Sequence, residues 1–165
     1  MREIKFQALV VKHALRNLGS NMQGIDSYEE IIDVHDISFD NGKIDYVTDK
    51  DGDEYSFADK SLKAVRQYTG LKDQNDKEIY EGDIIHCVHW FFNGDEIEEH
   101  FTASVGFRDG SFTLENIKSR YYSDFTGEEN GKGICWIGEI NYCEEDYEVI
   151  GNIYQNPELL KTESE

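Results

Sequence analysis

The chain is short of proline, of cysteine and of positive charge, and each shortage excludes something. Its single proline, Pro157, stands near the C-terminus, so nothing collagen-like or built on polyproline is encoded. Cys87, Cys135 and Cys143 make an odd number with no Cys-x-x-Cys spacing. Free thiols in a reducing cytoplasm are therefore expected rather than a disulfide framework. No apolar run approaches the ~20 residues of a membrane helix. Met1–Val11 alternates charge with apolar residues and builds no signal-peptide core. The expected location is cytoplasmic, with no membrane partner.

The deficit of cations is the strongest of these signals. Sixteen Lys and Arg stand against 35 Asp and Glu, a net charge of −19. Such a surface repels phosphate, whose binding depends on neutralisation by cations, so no direct nucleic-acid binding is expected. Segregated basic residues could override this, but only Arg2, Lys5, Lys12, His13 and Arg16 form a loosely basic stretch. The other cations are interspersed with acids.

What the chain has in quantity is aromatic bulk: nine Phe, ten Tyr and two Trp in 165 residues. These supply large pieces of core, so neither metal nor disulfide is required to stabilise a domain of this length. Ile4, Phe6, Ala8 and Val10 alternate with polar residues, the period of a half-buried strand. Lys12–Leu18 has helical residue types and stops at Gly19, which predicts a short helix or turn, and Asn17–Asp26 reads as loop. From Ile31 the pattern becomes an antiparallel meander. Ile31–Phe39, Lys43–Asp49 and Glu54–Phe57 are separated by the tight-turn signals Asn41-Gly42 and Asp51-Gly52.

Ala58–Gln67 carries helix formers and ends before Gly70, which predicts a second short helix and a domain seam. The division expected is an N-terminal β-rich subdomain at 1–60 and a C-terminal domain at 61–165. Downstream strands are expected at Glu78–Phe92, Phe101–Phe107, Ser111–Ile117, Gly133–Cys143 and Tyr147–Tyr154, with a terminal turn or short helix after Pro157.

Two segments carry a specific pattern. Residues 67–84 read Gln-Tyr-Thr-Gly-Leu-Lys-Asp-Gln-Asn-Asp-Lys-Glu-Ile-Tyr-Glu-Gly-Asp-Ile, and residues 148–160 read Glu-Val-Ile-Gly-Asn-Ile-Tyr-Gln-Asn-Pro-Glu-Leu-Leu. With the opening Met1–Phe6, they resemble the YopX family of phage and prophage proteins in order and spacing. The family often has Asn-Gly where Asn75-Asp76 stands, so Asp76 is expected to take the strained turn position. It commonly continues past the opening strand with an Arg-Ala-Trp type sequence where this chain has Gln7-Ala8-Leu9. The resemblance implies a mainly β fold whose C-terminal part is similar to a small SH3-like barrel, in the cytoplasm of a bacterial host. It brings no known reaction with it.

Read as residues, the motif is mostly turn chemistry. Gly70 and Gly82 suit sharp turns, and Asp73 and Asn75 can accept hydrogen bonds from amides just downstream. Glu81-Gly82-Asp83 suits a corner entering a barrel strand, with Ile79, Ile84 and Val88 pointing inward. Gly151, Asn152 and Pro157 of the closing motif are assigned the same scaffold role. The alternative is that Tyr68, Thr69, Tyr80 and Glu81 line a recognition groove, since Tyr offers a partner both a face and a hydroxyl.

Templates for chemistry fail. His86-Cys87-Val88-His89 has zinc-ligand types, but on a strand Cys87 and His89 share one face and His86 the other. Asp49–Asp53 falls short of a calcium loop, with Val47 and Ala58 at the ends where ligands should stand. Asn130–Gly133 lacks the first glycine and the Ser/Thr of a phosphate loop. Adjacent acids such as Glu98 and Glu99 read as solvated surface. No catalytic residue, metal ligand or cofactor is assigned. Trp90-Phe91-Phe92 must place at least one bulky side chain on an outward strand face. That suits packing between subdomains or a protein-binding surface, which Trp136 and Tyr142 could extend.

The function expected is a non-catalytic accessory protein of phage or prophage origin that binds an unidentified protein, with Trp90 and Phe91 as further binding candidates and self-association left open. The alternatives are an acidic DNA mimic that occupies a host nuclease or regulator, and an enzyme whose site the templates miss.

Overall fold

The computed structural model describes residues 1–17, 23–92, 94–117, 133–136 and 147–160, with the side chains of 16, 17, 23, 89, 91 and 133–136 outside the description. Twelve strands and one terminal 3₁₀ turn make up the described regular structure: a mainly β protein, as the alternation predicts. The chain divides into two compact units, Ile4–Gln67 and Tyr68–Glu165, the latter joined by Met1–Glu3.

In the N-terminal unit, β1 (Phe6–Asn17) pairs antiparallel with β2 (Gln23–Asp33) and with the first half of β6 (Leu62–Lys72). A three-stranded meander of β3 (Asp36–Asp40), β4 (Lys43–Thr48) and β5 (Glu54–Ser56) packs against that sheet. Ala8, Val10, Val47, Tyr55 and Leu62 form the buried core between them. The turn at Asn41-Gly42 takes positive φ at both positions (50° and 78°), the geometry that Asn-Gly permits in a hairpin.

Both predicted helices are strands. Lys12–Asn17 continues β1, because Val11 through Asn17 pair residue for residue with β2 as far as Gln23. Gln23–Asp26, read as loop, belongs to that partner strand. The segment Ala58–Gln67 splits into a turn and strand β6. Lys60 has φ 67°, and Leu62, 2% exposed, is aligned with Val10 in the core. Long-range pairing outweighs the modest helix propensity of these residues. The single strand expected over Ile31–Phe39 breaks at Val34-His35, where β2 ends and β3 begins.

The C-terminal unit is built on a five-stranded antiparallel sheet in the order β11-β10-β9-β8-β12, curled into half a barrel. Its strands are β8 (Asp83–Phe92), β9 (Glu96–Arg108), β10 (Ser111–Ile117), β11 (Gly133–Trp136) and β12 (Tyr147–Asn152). The second half of β6 pairs with β7 (Glu78–Tyr80), and this hairpin contributes Leu71 and Ile79 to the core inside the curl, with Ile85, Phe101 and Leu114. The 3₁₀ turn Pro157–Leu160 follows β12. The predicted strand over Gly133–Cys143 is observed to Trp136, and the remainder, including Tyr142 and Cys143, lies outside the described residues.

Candidate functional site

The two sequence motifs meet at Asp73. Its carboxylate is fully buried, and one oxygen, Oδ1, accepts hydrogen bonds from the amides of Asn75 and Lys77, both at 2.9 Å. The other, Oδ2, accepts from the amide of Val149 on β12 at 2.9 Å. The Gln74 amide adds a bond to the carbonyl of Tyr147 at 2.9 Å. A buried carboxylate is costly unless its lone pairs are satisfied, and here three main-chain donors satisfy them. Asp73 thus closes its own turn and ties that turn to β12. Asp76 takes φ 62°, the strained position expected of it.

Gly82 makes the second join. Its φ of 84° favours glycine, its amide donates to the carbonyl of Val105 at 2.7 Å, and its carbonyl accepts from the amide of Ile153 at 2.8 Å. A Cβ there would stand 3.0 Å from the ring of Tyr154. Asp83, 2% exposed, accepts from the amide of Tyr80 at 2.8 Å and closes the corner before β8. Gly70, at φ 88°, sits in open space where β6 shifts register between Tyr68 and Lys72, so conformation alone requires a glycine there.

The closing motif builds the C-terminal turn. Asn152 Oδ1 accepts from the amides of Tyr154 and Gln155 (3.1 and 2.9 Å), and its carbonyl accepts from the amide of Asn156 at 2.8 Å. Gly151 lies against that turn: a Cβ would approach Asn156 Oδ1 to 2.7 Å and Leu159 Cδ1 to 2.9 Å. Pro157, exposed, opens the 3₁₀ turn with its pre-set φ.

Of the proposed groove residues, Tyr68 and Tyr80 face each other across β6 and β7, their ring centroids 5.5 Å apart and each residue 5% exposed. The Thr69 hydroxyl donates to the carbonyl of Ile79 at 2.7 Å and accepts from the amide of Leu71 at 3.2 Å. Glu81 is half-buried at the corner. These residues are adjacent, but they present little surface to a partner.

The other candidates lie on the outer face of β8. Cys87 points into the core, aligned with Phe101, so Trp90, three residues on, points the opposite way. Val88, expected inward, is half-buried and shares the outer face with Trp90, because it too alternates with Cys87. Trp90 is 51% exposed and Phe92 79%. Phe91 is aligned with Ile97 of β9, and its side chain lies outside the description. Gly94, at φ 79°, lies between the ends of β8 and β9. Also on the outer face, His100 Nδ1 lies 3.2 Å from His86 Nε2, and His100 Nε2 lies 2.9 Å from Glu98 Oε1. Cys87 is on the far side of the sheet from this pair. Among the described residues no three His, Cys, Asp or Glu side chains converge as a metal site would need. The His86–His100–Glu98 chain is not legible in sequence, because it depends on the β8–β9 register.

With both motifs assembled into one corner of the fold, comparison with known proteins decides the family. The family described as YopX protein matches residues 20–161. This chain belongs to the YopX family. No curated protein matches it. Among solved structures it is similar to "Crystal structure of protein EF1440 from Enterococcus faecalis", at 19% identity over 98% of this chain and 100% of that one, with a TM-score of 0.45. Residues 67–84 and 148–160 lie within the matched range, and they fasten the β6–β7 hairpin, the entry to β8 and the C-terminal turn to one another. No helix among the described residues is long and apolar enough to cross a membrane.

Proposed function

We propose that this YopX protein is a non-catalytic accessory protein of phage or prophage origin, acting in the bacterial cytoplasm by binding another protein through the outer face of the β8–β9 hairpin. The observation that carries this reading is the exposure of Trp90 and Phe92 side by side on one strand face. Large aromatics in water are a standing cost that a binding partner removes, and Trp is prominent among the residues that dominate interface energy. The motif residues, by contrast, commit their polar groups to the fold.

The DNA-mimic reading is less well supported. Lys12 pairs with Glu30, Lys72 with Asp76 and Arg108 with Glu115 at 2.9, 3.4 and 2.8 Å. Interspersed cations of this kind interrupt the continuous acidic stripe that imitation of phosphate spacing needs.

Affinity capture from the host cell, with wild type beside Trp90→Ala and Tyr80→Ala, tests the proposal. A partner recovered by wild type and lost with W90A, while the variant keeps its stability, is the expected result. Equal recovery by wild type and W90A would remove the role given to this face. Y80A is expected to act only through lost packing, so its recovery should track its folded fraction.

A further inference from the structure

The chemistry around Trp90 indicates what sort of partner fits it. The described strands β8–β12 carry Asp83, Glu96, Glu98, Glu99, Glu115 and Glu148 against one Lys or Arg, Arg108. That Arg108 is already engaged, its Nε 2.8 Å from Glu115 Oε1. Directly across the hairpin, Trp90 is aligned with Glu98 and Phe92 with Glu96, so on the outer face each exposed ring has a carboxylate as its cross-strand neighbour. Cross-strand neighbours lie within about 5 Å at Cβ, close enough for one ligand group to touch both. Glu98 Oε1 also lies 2.9 Å from His100 Nε2 on the same face.

An exposed indole face flanked by carboxylates is selective. It attracts a guanidinium or ammonium through the ring quadrupole and through charge together, and it repels anionic groups. A purely apolar partner would leave Glu96 and Glu98 desolvated without a counter-charge, which is unfavourable. An uncharged aromatic patch would make this distinction through the ring quadrupole alone, and more weakly.

Resting on the binding reading above, we infer that the β8–β9 face takes a basic segment of a protein partner, with an Arg or Lys side chain stacked on Trp90 and paired with Glu98, and a second cation at Glu96 beside Phe92. The occupant is a polypeptide rich in Arg or Lys with apolar residues between them.

Three fluorescein-labelled peptides of one length test this by anisotropy against the full chain: one alternating Arg with Leu, one with Gln replacing Arg, and one with Glu replacing Arg. Since a chain of net charge −19 attracts any polycation, the variants must separate a local site from the overall field. Trp90→Ala is expected to weaken the Arg peptide about ten-fold or more. The pair Glu96→Gln/Glu98→Gln should weaken it several-fold more than Glu29→Gln/Glu54→Gln, which removes the same charge from the N-terminal unit. The Gln and Glu peptides should bind far more weakly.

Equal weakening by the two double variants, or no effect of W90A, would overturn the inference and leave only the general field. Equal binding of the Gln peptide at Trp90 would overturn it too, while leaving protein binding at this face standing. If no peptide binds although capture from cells depends on Trp90, the cationic partner is again refuted and the binding reading is not. Loss of both removes both.

Discussion

At the scale of single residues, the YopX motif is an arrangement of acceptors and close approaches. Asp73→Ala takes the acceptor from three amides, one of them on β12. It should cost about 2–4 kcal/mol in urea unfolding, because buried donors left unpaired carry most of that loss. Asp73→Asn keeps an acceptor for the turn but presents an amino group to the Val149 amide, and should cost about 1–2 kcal/mol. Gly70→Ala meets only the strain of positive φ, about 1 kcal/mol, whereas Gly82→Ala adds the contact with Tyr154 and should lose roughly twice as much.

Asp59 gives a pH dependence. Hydrogen bonds from the hydroxyl and amide of Ser61, and then from Ser56, hold its carboxyl below the ordinary value. A group whose folded pKa is depressed adds stability above the ordinary carboxylate range and loses it as the pH falls through the lower folded value. The gap between wild type and Asp59→Asn should therefore narrow under acid. A gap independent of pH would contradict this.

The half of Asp73 that closes its own turn is legible in sequence, since Asp followed by Asn two residues on is turn chemistry. The bond to Val149 is not, because it joins positions 76 residues apart. The same holds for Gly151: its spacing suggests a turn, but only the packed turn shows a Cβ colliding with Asn156 and Leu159.

At the scale of elements, turns are more legible than strands, and strands more than helices. Asn41-Gly42 and Asp109-Gly110 both adopt the positive φ angles that the residue types allow, and β10 occupies the predicted Ser111–Ile117. Lys12–Asn17 and Leu62–Gln67 read as helix from their residue types, because the strands they pair with, β2 for the first and β1 for the second, are invisible locally. β1 lies between β2 and β6, so its character is set by neighbours distant in sequence. Backbone amides of Val10 and Ala8 should accordingly exchange more slowly with solvent than those of Ala14 and Leu15, which lie beyond the β6 pairing. Uniform exchange along β1 would contradict the described register.

At the scale of the whole molecule, charge is the controlling quantity. In surface ion pairs such as Lys12–Glu30 and Lys72–Asp76, the carboxylate raises the lysine's pKa above its ordinary value, chiefly through their hydrogen bond. Solvent screens such exposed pairs, so each contributes little to stability. A few of them do not offset the self-repulsion of a net charge of −19. Stability should therefore rise as salt increases from about 10 to about 200 mM, because screening relieves that repulsion more than it weakens the pairs. A fall would mean that ion pairs dominate.

We propose a division of labour in which the residues of the two motifs hold the fold and the aromatic face of β8–β9 holds a partner. It is tested most directly by measuring stability and cellular capture together for Trp90→Ala and Asp73→Ala. The result predicted is that W90A keeps wild-type stability and loses the captured partner. D73A should lose stability, and its capture should fall only in proportion to its unfolded fraction. W90A unfolding like a core truncation, or D73A staying fully stable while losing the partner, would contradict it.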